Sequence, residues 1–270
     1  MWMNRLVLSA SLPLMLLLKP GRVLVCQHSD AWVEEKTTKL AFPRILLFNR
    51  FIHAGQDCPS CVIGRTHNEP IPTETLHLKQ IALRCMMGAC NFEAARAYAV
   101  GYYTNSSDKL PLAREDCMKR PEKGEIKQLR LVFSKKIDYH HVGKGLDKSL
   151  IKRFRAGAGP QTKPNKEALK QFTSILLKPP RDNNSNRSGG SSSNEDRDDF
   201  VFHRNSSATF TWMRAQNPDD DEDELIVNID DKIARTIKST KLCRCLFGVY
   251  FDDDSPFTRY ESMNFATINE

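Results

Sequence analysis

Leu78-Lys79-Gln80-Ile81-Ala82-Leu83-Arg84-Cys85-Met86 is the stretch on which the fold reading turns. Leu78, Ala82 and Met86 recur at i, i+4 and i+8, with Leu83 beside them, so a 3.6-residue period predicts a helix over 75–87 with one apolar stripe. Gly88 follows as a stop signal. A second, alanine-rich helix is expected over 92–100, ending at Gly101.

Toward the N-terminus, Arg5 precedes an apolar run over 6–18, which Lys19-Pro20-Gly21 breaks. The run is too short to cross a bilayer core of about 30 Å as a helix, and it matches the roughly 7–15-residue core of a signal peptide. Residues 1–26 are therefore expected to be removed near Gln27, giving a secreted, extracellular protein with no membrane span. The remainder divides into a Cys-rich N-terminal region with the amphipathic helix, 27–118, and a β-rich region, 119–270.

Toward the C-terminus the signals become strand-like. Residues 129–133, 200–202, 209–213, 225–229 and 246–251 read as short strands, 168–177 as helix or strand, and 233–237 as a short helix. The Asn/Ser/Gly/Arg/Asp stretch over 181–199 has too little apolar surface to offset its chain entropy and is expected to be a disordered loop. The expected fold class is α+β: an N-terminal helical arm followed by a β-rich arm-type domain.

The chain has a formal charge of +7 and a mean hydropathy of −0.49. Basic residues dominate 119–181, while 219–224 is wholly acidic. Such asymmetry suits a glycosaminoglycan partner outside the cell, or two mobile, solvated blocks of opposite sign. No nucleic-acid partner is expected. Sequons at Asn105, Asn183, Asn186 and Asn205 mark glycosylation sites in polar surface loops.

After signal removal, seven cysteines remain: Cys58, Cys61, Cys85, Cys90, Cys117, Cys243 and Cys245. In an oxidising compartment they are read as disulfide partners, and their odd number calls for a free thiol or a bond to another chain. Cys243 and Cys245 on a strand would point to the same side, which favours separate partners and a disulfide-linked homodimer. Cys58-Pro59-Ser60-Cys61 has the spacing of a thiol-disulfide oxidoreductase, but Gly64 and the prolines at Pro70 and Pro72 leave no helix start after Cys61. Zinc would need four well-spaced ligands, and disulfides are the expected use of these cysteines. The pair His140-His141 reads as exposed, and no phosphate loop, nucleophile elbow or calcium loop is present. No enzyme activity, cofactor or metal is expected.

In order, Asp57-Cys58-Pro59-Ser60-Cys61, the 78–86 stretch, Cys243-Arg244-Cys245 and Val249-Tyr250-Phe251-Asp252-Asp253-Asp254-Ser255-Pro256-Phe257 resemble the prodomain of the activin branch of the transforming growth factor-β superfamily. The resemblance implies a straitjacket helix and a β-rich arm that assist folding or latency of an activin-like growth-factor dimer. It also implies that Leu78, Ala82, Leu83 and Met86 enter the dimer's apolar groove, a helix-in-groove contact. The chain ends at Glu270 with no convertase site or cystine-knot domain, as for a truncated or separately encoded prodomain. The alternatives are the oxidoreductase and a secreted glycoprotein with another binding role.

Overall fold

The computed structural model describes residues 32–49, 73–85, 93–107, 114–156, 162–177, 201–215 and 221–252. The strands are β1 (Trp32–Glu34), β2 (Ala41–Pro43), β3 (Ile45–Asn49), β4 (Thr73–Cys85), β5 (Arg96–Thr104), β6 (Ile126–Phe133), β7 (Ile137–Asp138), β8 (Val201–Phe202), β9 (Ser207–Arg214), β10 (Asp223–Ile229) and β11 (Lys232–Lys238). The helices are α1 (Arg114–Met118), α2 (Tyr139–Ala156), α3 (Lys163–Leu177) and α4 (Thr240–Phe251). Seven strands form one antiparallel sheet in the order β11-β10-β9-β6-β5-β4-β3, while β1-β2 and β7-β8 form two small pairs. The chain is thus α+β, with its body built on one large sheet.

Alternation along the strands sends successive side chains to opposite faces. One face packs on the helices. There the Trp212 ring lies 5.0 Å from Phe247, Phe210 lies 5.5 Å from Phe172, and Tyr102 lies 5.0 Å from Phe251. Helix α4 is the centre of this layer and buries Leu242, Leu246, Phe247, Val249, Tyr250 and Phe251. A helix apolar nearly all round belongs in a core, where each large side chain contributes about 1.5–3 kcal/mol. Ser239 starts α4: its Oγ accepts from the Leu242 N–H at 3.1 Å, satisfying an amide that the helix leaves open.

The stretch that opened the sequence reading is a strand. Residues of β4 pair with β5 from His77↔Thr104 to Cys85↔Arg96, and a register shift falls between Leu78 and Gln80. The inserted residue moves the apolar positions Leu76, Leu78, Ile81 and Leu83 onto one face, so an interval of three interrupts the period of two and imitates a helix. The helix expected over 92–100 is a short 3₁₀ turn, Glu93–Ala95, followed by β5. The strand expected over 246–251 lies in α4, and the helix expected over 233–237 lies in β11. Residues 168–177 are helical, in α3. The strands expected over 129–133, 209–213 and 225–229 are present in β6, β9 and β10. Residues 1–26, Cys58, Cys61, Cys90, Met86 and 181–199 lie outside the described residues.

Candidate binding site on the second face of the sheet

The face of the sheet turned away from the helices carries two adjacent cross-strand rows. One runs Tyr103 (β5), Gln128 (β6), Thr211 (β9), Ile226 (β10); the other runs Gly101, Arg130, Thr209, Asn228 on the same four strands. Polar residues at alternate positions of a strand ordinarily meet water. Here Gln128, Thr209, Thr211 and Asn228 are all buried, none more than 5% exposed.

Some of this polarity is matched. The Gln128 amide donates through Nε2 to Thr211 Oγ1 at 2.8 Å. Arg130 Nη1 donates to Asp231 Oδ1 at 3.0 Å, an ion pair anchored on the β10–β11 turn. Tyr103 donates its hydroxyl to the Pro43 carbonyl at 3.0 Å. Burial raises that phenol's pKa, with the Arg130 charge pulling the other way, so the group stays protonated. Gln128 Oε1 and Asn228 Oδ1 are buried with no hydrogen-bond partner. An unmet buried acceptor costs roughly 1–3 kcal/mol, and native structures hold few of them. Two strands and two residues separate the pair, about 12 Å between their Cα atoms from standard sheet spacings. The two threonine hydroxyls lie between them and Arg130 alongside.

The wall beside these rows is apolar. Phe42 of β2 lies over Gly101, where an added Cβ would sit 2.8 Å from Phe42 Cδ1 and 3.0 Å from Tyr103 Cε2. Glycine is therefore needed for close approach of the β1-β2 hairpin to the sheet. The site combines an aromatic edge, two unmet acceptors, two hydroxyls and a cation. That donor set suits an amphiphilic organic molecule with its own hydrogen-bond donors.

A second buried polar group, at one end of the helix-facing side, is internally matched. Asp223 is fully buried and accepts from Arg120 Nε at 2.8 Å and from Trp212 Nε1 at 3.0 Å. Lys127 donates through Nζ to the carbonyls of Asp116 and Lys119. Its pKa is lowered, chiefly by desolvation, with Glu125 opposing. These bonds tie α1 and its following loop to the sheet.

The residues expected to act are placed differently. Leu78, Ala82 and Leu83 are buried on β4, the strand next to the β3 end of the sheet, and successive strand residues share no groove-facing stripe. Cys117, Cys243 and Cys245, expected as disulfide partners, are all buried and carry thiols. Cys243 and Cys245 stand on a helix, so the same-side argument for a strand does not hold for them. Burial raises both pKa values, that of Cys243 strongly. Cys85 is disulfide-bonded, and its partner lies outside the described residues. The Asn105 side chain closes a turn, donating to Gly124 O at 2.9 Å and accepting from Ile126 N at 2.8 Å. Asn205 is exposed at a turn with φ 68°. Asn183 and Asn186 lie outside the described residues, and His140 and His141 are exposed. No group of metal-ligating side chains occurs among the described residues, and no described helix is long and apolar enough to cross a membrane.

No family model matches the chain, and no curated protein matches it. Among solved structures, a fatty-acid binding protein of Arabidopsis thaliana is similar at 16% identity and a TM-score of 0.48, covering 86% of this chain and 94% of its own. A likeness at that level leaves the ligand of this chain to be argued from its own residues. The prodomain resemblance is corrected: its straitjacket helix is β4, and its strand after Cys245 is part of α4. The growth-factor role implied for Leu78, Ala82, Leu83 and Met86 goes with it, while Cys58 and Cys61, on which the oxidoreductase alternative rests, lie outside the described residues.

Proposed function

We propose that this protein is a non-enzymatic binding protein for a small amphiphilic molecule held on the second face of its sheet. The observation that supports this reading is the pair of buried, unmet acceptors Gln128 Oε1 and Asn228 Oδ1 on that face. A ligand hydroxyl or N–H at each would remove two desolvation penalties at once. Thr209 and Thr211 would fix the ligand's orientation, Arg130 would favour any partial negative charge, and the Phe42–Tyr103 wall would meet its apolar part. Binding is favoured over catalysis because the phenol on this face is held protonated and already donates its proton to a carbonyl. We propose an oxidising compartment as its place of work, because a disulfide at Cys85 persists there and is rare in the cytosol.

The test is native mass spectrometry and calorimetry of the full chain with a panel of hydroxylated and non-hydroxylated amphiphiles of about 10–15 heavy atoms, a length set by the strand spacings. Hydroxylated members should bind and Asn228→Leu with Gln128→Met should abolish binding. Equal binding of both ligand classes, or full binding by the double variant, would exclude this face as the site.

A further inference from the structure

The helix layer carries an unneutralised basic surface. On α2, Lys144, Lys148 and Lys152 are exposed at intervals of four, and Arg155 continues the row. A rise of 1.5 Å per residue spaces the lysines about 6 Å apart. A shallow depression runs among them, with Asp147 and Ile151 in its floor. The neighbouring α3, which packs against α2, exposes Lys163, Lys166 and Lys170. The two helices together carry eight basic and two acidic side chains, against a charge of +7 for the whole chain. Several basic groups are paired: Arg120 with Asp223, Arg130 with Asp231, and on α2 itself Arg153 with Asp252. Among the described residues, none of the seven exposed cations on this surface forms an ion pair. A helix face that is merely solvated usually mixes its charge signs.

We propose that the outer surface of α2 and α3 docks a sulfated polysaccharide. A row of cations at regular spacing matches a linear polyanion, and concentrated positive charge steers such a partner onto the surface. A lipid bilayer fits less well. An interfacial helix turns its apolar side chains to the membrane, whereas Val142, Leu146, Leu150 and Phe154 of α2 face the protein core. In the oxidising compartment proposed above from the disulfide at Cys85, sulfated polysaccharides are the linear polyanions to hand and nucleic acids are not. The surface is separate from the second-face site, and its occupancy requires no ligand there.

The full chain should be retained on immobilised heparin at physiological ionic strength and released by salt, since screening shortens the reach of exposed charges to less than about 10 Å. Lys148→Glu with Lys152→Glu should weaken binding at least tenfold while leaving the melting temperature unchanged, both side chains being exposed. Lys36→Glu with Lys123→Glu, also exposed and equal in charge change, should bind like the wild type. Equal loss in the two double variants would reduce the effect to net charge and overturn the proposal. Retention on desulfated polysaccharide would overturn it too. So would stronger binding to vesicles containing phosphatidylserine, which would make the surface a membrane contact.

Discussion

Gly101 shows how one atom fixes the relation between the hairpin and the sheet. Its missing Cβ leaves room for the fully buried Phe42 ring, at a separation that a methyl group would reduce to 2.8 Å. Gly101→Ala should therefore destabilise by about 1–3 kcal/mol, the usual range for overpacking. Urea unfolding measures this, and adding Phe42→Leu should recover part of the loss; independence of the two substitutions would mean that the hairpin is not held there. Asn228 presents the reverse case. Replacing it by leucine, which has the same branching, removes an unmet acceptor, so Asn228→Leu should raise the melting temperature even as ligand capture fails. A lower melting temperature would show that Asn228 is structurally satisfied. The sequence could not announce this site. Thr209, Thr211 and Asn228 alternate with apolar neighbours as residues of a water-facing strand do, and only their burial distinguishes them.

At the scale of elements, legibility followed the purity of the period. Strands β6, β9 and β10 were readable because β-branched and aromatic residues cluster in short runs. Strand β4 was not, because both faces of the sheet are covered and its register shift breaks the alternation. Helix α4 was misread for a related reason: residues 246–251 are wholly apolar, and a short apolar run does not separate a buried strand from a buried helix. Its start was nonetheless written in Ser239, a capping residue. The β10–β11 hairpin had a signal as well. Asp230 and Asp231 form its two-residue turn with φ 48° and 61°, the left-handed region that type I′ turns require and aspartate tolerates. The corrected setting of Cys243 and Cys245 has a direct consequence. Both thiols are buried on α4 with raised pKa values, so little thiolate forms near neutral pH. In a thiol-reactive dye assay both should be silent in the folded protein and react once it unfolds, with each rate rising as pH rises. Rapid labelling of Cys243 in the folded state would contradict the position of α4.

For the whole molecule, the seven-stranded antiparallel sheet ends, among the described residues, in β3 and β11. Open edges offer unpaired backbone groups to a second chain, and native sheets guard them with charge or short length. Strand β3 has five residues and covers only the first part of the thirteen-residue β4, so residues 79–85 of β4 have no strand on that side among the described residues. Strand β11 is longer, and along it Lys232, Arg235 and Lys238 are exposed. Approach of a second β11 would bring these like charges together, which costs more than the new backbone bonds gain while the charges remain. Arg235→Val with Lys238→Val should therefore make the protein self-associate at concentrations where the wild type sediments as a single species. The same loss of charge at Lys36 and Lys123, away from either edge, should leave sedimentation unchanged and so separate edge protection from a general effect of net charge. If the β11 variant stays monodisperse, the edge is closed by means other than its charges.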